Sequence, residues 1–400
     1  MQTMMNKAFA TLLLAGTTGI CCAQSPATKL DDLKINQVQV LGTHNSYARP
    51  ADSTVLAYID PIFDNLAGSY IKAMKPEQLA AFQEYHPNKM KMSEGLKYNH
   101  PPFNVQLDSG LRSLEIDVYN DPTGNRFNDP AVYRELRKKG YNNLTPFDTK
   151  DLDKPGFKVL HMADIDFRTH YTTFRDALLA LRTWSDAHPD HFPIFIMIEA
   201  KDQGLPIFPN SAKVLPFDEK AFNDLDQDVV QLLGRNKLIT PDDVRGRFPT
   251  LREAVLAQQW PTVKAARGKF IFLLLPSTAG MNLVSDYAKN RPNLEGRVMF
   301  MQSTPKDSYA AFFLMDNAIV RQREIQQLVK QGFLVRARTD IETYEAKVND
   351  LTRAKAAFSS GAQIISTDFF REGNGYGTSY VVKLPGGGEA RSNPVNGKEK

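Results

Sequence analysis

Histidine, asparagine and carboxylate side chains placed at the ends of apolar runs are what this sequence offers for chemistry. His44 and Asn45 follow Val38-Gln39-Val40-Leu41 in the run Gly42-Thr43-His44-Asn45-Ser46-Tyr47. Glu115 and Asp117 stand two residues apart in Ser113-Leu114-Glu115-Ile116-Asp117-Val118, so a strand there would point both to one side. His161 follows Val159-Leu160, and Glu199 follows Ile196-Met197-Ile198 with Lys201 two residues further on. Two acids facing one way in an apolar strand are costly to bury unless compensated. Asn45, Glu115, Asp117 and Glu199 are hard oxygen donors, and a divalent cation is the simplest compensator for crowded carboxylates. An all-oxygen set favours Ca2+, then Mg2+, over zinc. His44 and His161 remain for proton transfer near neutral pH. Arg336 and Arg338, also two apart, could grip a phosphate, with Lys201 as a further cation. Metal, acid, base and cationic clamp together suit displacement at phosphorus. Plainer readings stay open: Lys201 as an ion-pair partner of Glu199, the arginines as a strand end paired to Asp340, Asp368 as a helix cap. Tyr98, His100, His170, His188 and His191 lie in or beside loops and are assigned no chemistry.

The elements that must position these groups follow from a repeated rhythm. Eight short runs rich in Val, Ile, Leu or Phe read as strands: Val38–Leu41, Ser113–Val118, Phe157–Leu160, Ile194–Ile198, Phe270–Leu275, Arg297–Met301, Phe333–Arg336 and Gln363–Ser366. Amphipathic helix patterns lie between them, among them Thr173–Ala187, Glu219–Leu233, Ala318–Gln331 and Thr343–Ser359, the last stopped by Gly361. Near-continuous apolar strands alternating with helices argue for a parallel sheet covered on both faces, and eight units for a single closed (β/α)8 TIM-like barrel of the α/β class. A doubly wound open sheet is the alternative, but Gly42-Thr43-His44-Asn45 is not its Gly-rich phosphate loop. His44, Asn45, Glu115, Asp117, His161 and Glu199 all fall at the C-terminal end of a strand, where barrels carry their active sites. Long connections from Tyr47 to Gln106 and from Tyr119 to Gly156 follow strands one and two and would lie on that rim.

The remaining bounds come from composition. The chain has 400 residues, 42% of them apolar and 24% charged, a balance suited to one large or two average globular domains. Lys7, an apolar stretch from Ala8 to Ile20, and Cys21-Cys22-Ala23 read as a secretory signal peptide spanning 1–23, with 24–385 as the catalytic barrel and 386–400 as a disordered tail. Both cysteines fall in that leader, so thiolate chemistry and disulfides are excluded from the expected mature chain. A net charge of +4, with the two signs interspersed, gives no reason to expect nucleic acid and allows only weak, transient contact with an anionic membrane. The expectation is an exported monomer, periplasmic or secreted.

The motifs Gly42-Thr43-His44-Asn45-Ser46-Tyr47, Leu114-Glu115-Ile116-Asp117, Val159-Leu160-His161 and Ile198-Glu199-Ala200-Lys201 resemble the catalytic barrel of calcium-dependent phosphatidylinositol-specific phospholipase C, its bacterial secreted branch above all. Gln106 to Arg112, Pro155 to Lys158 and Thr250 to Ala254 extend the likeness over nearly the whole expected mature chain. The resemblance implies that Asn45, Glu115, Asp117 and Glu199 hold Ca2+. It implies that His44 stabilises charge on the phosphoryl group, that His161 protonates the departing diacylglycerol oxygen, and that Glu115 or Glu199 deprotonates the inositol 2-hydroxyl. The substrate would then be a phosphoinositide or another phosphodiester, and the product a cyclic or linear inositol phosphate. Glycerophosphodiester phosphodiesterases share the barrel, the histidines and a Glu-x-Asp pair, but typically carry arginine where Asn45 stands. A barrel that binds inositol phosphate or calcium without turnover is the non-enzymatic alternative.

Overall fold

Strands with hydrophobic side chains on both faces need cover on both, and the chain provides it by wrapping helices around a ring of strands. The computed structural model describes residues 30–276 and 286–397, so the expected signal peptide with Cys21 and Cys22 lies outside the described residues. The strands are β1 (Val38–Thr43), β2 (Ser113–Tyr119), β3 (Lys158–Val159), β4 (Ile194–Lys201), β5 (Phe270–Pro276), β6 (Phe300–Met301), β7 (Phe312–Leu314), β8 (Leu334–Arg338), β9 (Ile364–Thr367) and β10 (Arg391–Ser392). Eight of them run in the order β6-β5-β4-β2-β1-β9-β8-β7, all parallel, and a single bridge from Gln302 to Phe312 closes the ring. The staves are buried: Ile194 to Ile198 and Phe270 to Leu275 lie in the core. Outer helices begin on good caps, with Thr173 accepting from the Asp176 amide and Asp218 from the Ala221 amide.

Eight staves were expected, and eight are present, but one of them is a different segment. The run Phe157–Leu160 supplies only β3, which lies antiparallel on β2 outside the ring. β2 pairs directly with β4, and the eighth stave is β7, between β8 and β6, three residues long and separated from β6 by no described helix. The helix expected over Thr343–Ser359 is broken into Tyr344–Val348 and Thr352–Ser360, because Asn349 adopts a left-handed conformation (φ +56°). Gly361 ends the second piece in the left-handed region, as its position suggested. The end of the chain is not disordered over 386–397: β10 pairs with β1, and Ala390 and Asn393 are buried. Arg391 donates to the Gln39 side chain, which explains how a Gly-rich, charged stretch finds partners.

The two long connections fold into helical insertions over the C-terminal rim. The first carries Ser53–Ala73, Pro76–Tyr85, Met92–Gly95 and Phe103–Asp108; the second carries Ala131–Lys138. They share a small core of their own, including Val55, Ile59, Phe127, Tyr133 and Leu136. Asp52 joins them, accepting from Tyr133 Oη at 3.1 Å and from the Thr145 amide at 2.8 Å. None of the described helices is long and apolar enough to cross a membrane.

Gly42 sets how closely β1 and β2 approach. It pairs with Ser113, and a Cβ there would run into the carbonyl oxygen and Cβ of Ser113. Because His44 and Asn45 follow directly, Gly42→Ala should shift them as well as strain the sheet. We expect Gly42→Ala to lower unfolding free energy by about 3 kcal/mol, at the upper end of overpacking costs. Urea denaturation checks this, and a loss below about 0.5 kcal/mol, within the range of an ordinary surface substitution, would show that the strands can part freely.

Candidate active site

Strand ends alone place the predicted carboxylates together. Glu115 and Asp117 share one face of β2, and Asp117 is the register partner of Glu199 on β4. One oxygen from each of the three lies within 4.8 Å of the others. Burial and the neighbouring acids push Glu115 up to about 8, although Arg336 pulls against them. Burial likewise raises Asp117 to about 6, against the pull of Lys201. For Glu199 burial is outweighed by Lys201, and its carboxyl lies below the usual range. Three acids crowded and buried in this way are short of positive charge.

Asn45 lies two residues beyond the end of β1. It takes a left-handed backbone (φ +45°), which an asparagine tolerates better than most residues, and its amide Nδ2 donates to Tyr98 Oη at 2.6 Å. Its Oδ1 is then buried with no hydrogen-bond partner among the described residues. The turn is held by Ser46, whose amide donates to the Glu115 carbonyl at 2.9 Å and whose Oγ accepts from the Glu115 amide at 2.8 Å. Three clustered carboxylate oxygens and an orphaned buried amide oxygen are the donor chemistry of Ca2+, so these residue types fit that ion.

Both histidines have a carboxylate behind them. His44 Nδ1 lies 3.2 Å from Asp368 Oδ1, and His161 Nδ1 lies 2.9 Å from Asp166 Oδ2. Donation from Nδ1 leaves Nε2 of each ring for a substrate. Burial, with Arg338 nearby, pushes His44 well below its ordinary value despite Asp368. Asp368 is itself held well below the usual carboxylate range: burial opposes this, but His44 and Arg338 overcome it. Arg338 donates to Asp368 Oδ2 at 2.8 Å, so its partner is Asp368 and not Asp340. Arg336 donates to Glu115 Oε2 at 2.8 Å and pairs with Asp316. His44, Glu115, His161, Glu199, Arg336, Arg338 and Asp368 line one cavity of about 830 Å³. Met74, Ala81, Phe82, Tyr85 and Leu96 of the first insertion add apolar lining to it, with Gln78 and His86 among them. Lys201 does not line the cavity as a substrate clamp would; it pairs with Asp117 and Glu199.

Of the residues singled out in the sequence, His44, Glu115, His161, Glu199, Arg336 and Arg338 line the cavity, and the residues that hold the histidines were harder to see. Asp166 lies five residues after His161 in an ordinary-looking turn, and Asp368 read equally well as a cap. Tyr98 and His100 were assigned no chemistry, yet Tyr98 fixes Asn45, and His100 Nε2 donates to the His44 carbonyl at 2.9 Å.

Barrel, acid cluster and paired histidines together define an enzyme of the metal-assisted acid–base class. The family described as phosphoinositide phospholipase C, Ca2+-dependent, matches residues 33–394. The chain belongs to that family. Among solved structures, it is similar to a calcium-dependent phosphoinositol-specific phospholipase C from the Gram-negative bacterium Pseudomonas sp. in its myoinositol complex, with 17% identity, a TM-score of 0.52, and 91% of this chain and 97% of that one covered. A further crystal form of the Pseudomonas protein gives 16% identity and a TM-score of 0.52 over 91% and 97% of the two chains. A Ca2+-dependent phosphatidylinositol-specific phospholipase C from Streptomyces antibioticus is 18% identical, with a TM-score of 0.48, covering 84% and 95%. No curated protein matches the chain.

Proposed function

We propose that this enzyme cleaves the glycerol–phosphate bond of phosphatidylinositol-type lipids, releasing diacylglycerol and a cyclic inositol phosphate. The observation that carries the reading is the pair of Asp-backed histidines facing the three-carboxylate cluster in one cavity. Bound Ca2+ would be held by Asn45, Glu115, Asp117 and Glu199 and would supply charge neutralisation and acidify the attacking hydroxyl. Glu115 or Glu199 takes the proton of the inositol 2-hydroxyl, whose oxygen forms a new bond to phosphorus. The bond from phosphorus to the glycerol oxygen breaks, and His161 gives that oxygen its proton. His44, fixed by Asp368, donates to the phosphoryl oxygens as charge builds. Arg336 and Arg338 brace Glu115 and Asp368 and add positive charge to the cavity wall. Water opens the cyclic product by the reverse proton traffic. The apolar lining that the first insertion adds to the cavity suits a substrate with a greasy side. Export behind a leader cleaved after Ala23 would place the enzyme where such lipids are met from outside.

Incubation with phosphatidylinositol and, separately, with glycerophosphoinositol tests this reading. Diacylglycerol is expected from the first, with little turnover of the second. Turnover of the soluble diester alone would overturn the lipid assignment and favour a glycerophosphodiester phosphodiesterase.

A further inference from the structure

The acids that fit Ca2+ are already shared with protein cations. Lys201 Nζ lies 2.9 Å from Asp117 Oδ2 and 2.9 Å from Glu199 Oε1, and Arg336 Nη2 lies 2.8 Å from Glu115 Oε2. The two cations are not equivalent. Arg336 has other holds, pairing with Asp316 and donating to Ser366 Oγ at 3.2 Å, so it stays in place whatever Glu115 does. Lys201 makes no ion pair among the described residues other than those with Asp117 and Glu199. It is also built into the cluster by register. Lys201 follows Glu199 by two on β4 and pairs across to Tyr119, as Glu199 pairs to Asp117, so its ammonium lies along the same face as both acids.

An ammonium between two carboxylates is doing the job that a metal ion does at such a place. Counting these groups alone, three carboxylates against Lys201 and Arg336 leave one net negative charge. A dication entering there meets the full attraction of three acids and the repulsion of two fixed cations. At separations of a few ångströms inside a protein that repulsion is worth several kcal/mol before relaxation. Calcium affinity follows ligand charge count, so a lysine that cancels part of that charge is a direct control on it.

We propose that Lys201 is a built-in counter-cation of the calcium site: it holds Asp117 and Glu199 in place when no metal is bound, and it sets calcium affinity below what the acids alone would give. This rests on the reading that Glu115, Asp117 and Glu199 hold Ca2+. It gives Lys201 a role unlike that of a substrate clamp. The site then stays assembled at low calcium, and the ion is bound reversibly rather than locked in.

Calorimetric titration of Ca2+ into the wild type, Lys201→Met and Lys201→Arg tests the proposal without reference to turnover. Methionine keeps most of the length and the apolar body of lysine and removes its charge. Lys201→Met should bind Ca2+ about tenfold tighter or more, a modest share of the close-range repulsion removed. Thermal melts should show the same variant less stable than wild type in EGTA, with the gap closing in saturating Ca2+. Lys201→Arg should bind Ca2+ within about threefold of wild type, since the charge that opposes the ion is kept. A dissociation constant for Lys201→Met equal to or weaker than wild type overturns the role of Lys201 and leaves the metal site standing. Equal tightening in Lys201→Arg also overturns it, because charge would not be the cause. No calcium binding by the wild type would overturn the metal assignment, and the proposal with it.

Discussion

Stripping divalent cations with EGTA will reduce hydrolysis of phosphatidylinositol at least about a thousandfold, and added Ca2+ will restore it, because a bound cation contributes several kcal/mol of charge stabilisation at phosphorus. The expectation comes from the state of the acids. Burial and mutual repulsion raise both Glu115 and Asp117, so the protein holds together acids whose ionised forms are costly without a cation. Lys201 and Arg336 relieve only part of this. Asn45 adds a buried oxygen that no donor among the described residues satisfies. That combination makes sense as a cradle for a cation and is costly as anything else. Mg2+ should restore less activity than Ca2+. The smaller ion demands a strict octahedron and keeps its waters, whereas four protein oxygens on two strands and a turn form a looser cage. Asn45→Ala removes a neutral ligand and should raise the calcium needed for half-activity while leaving the fold intact. Full activity in EGTA would remove the metal from the mechanism and leave the acid cluster unexplained.

Much of this site could be read from the chain alone, for a physical reason. Parallel strands of a covered barrel are apolar throughout, so a carboxylate or histidine at a strand end stands out against its neighbours. That contrast exposed His44, Glu115, Asp117 and Glu199, and the two-residue period put Glu115 beside Asp117 before any coordinates. His161 was found by the same contrast but through a wrong premise. It follows β3, which runs antiparallel on β2 and thereby returns the chain to the mouth of the barrel. The stave that was missed, Phe312–Leu314, is too short to show a pattern, and no helix announces it. Asp166 and Asp368 were hard to see because acids in loops are ordinary; only the folded chain brings each to a histidine. Tyr98 reaches Asn45 across 53 positions of sequence through the first insertion, a contact that no local spacing encodes. The tail misled for the opposite reason. Its glycines and charges suggest disorder, but a two-residue pairing with β1 and a buried Asn393 are enough to seat it.

Replacing His161 by alanine will lower kcat on phosphatidylinositol by about a hundredfold to ten-thousandfold, the usual contribution of a positioned general acid. Its Nδ1 is committed to Asp166 Oδ2 at 2.9 Å, so Nε2 is the nitrogen that can give a proton, and the ring borders the cavity beside Glu199. The leaving group is an alcohol, which cannot depart as an alkoxide at neutral pH without one. Calcium affinity should stay within about twofold of wild type, because the imidazole is not one of the metal's oxygen donors. That separates the acid role from damage to the cradle. Asp166→Asn should produce a smaller loss, about tenfold to a hundredfold, since the ring remains but is no longer held in one tautomer and orientation. The sharpest check uses the leaving group itself. A phosphodiester of inositol with a phenol that departs readily as its anion needs no proton, and His161→Ala should recover most of its rate on that substrate. Equal losses on both substrates would mean that His161 positions the phosphate rather than protonating the glycerol oxygen. An unchanged kcat would exclude it from the chemistry and leave His44 with Asp368 as the one acid–base pair of the site.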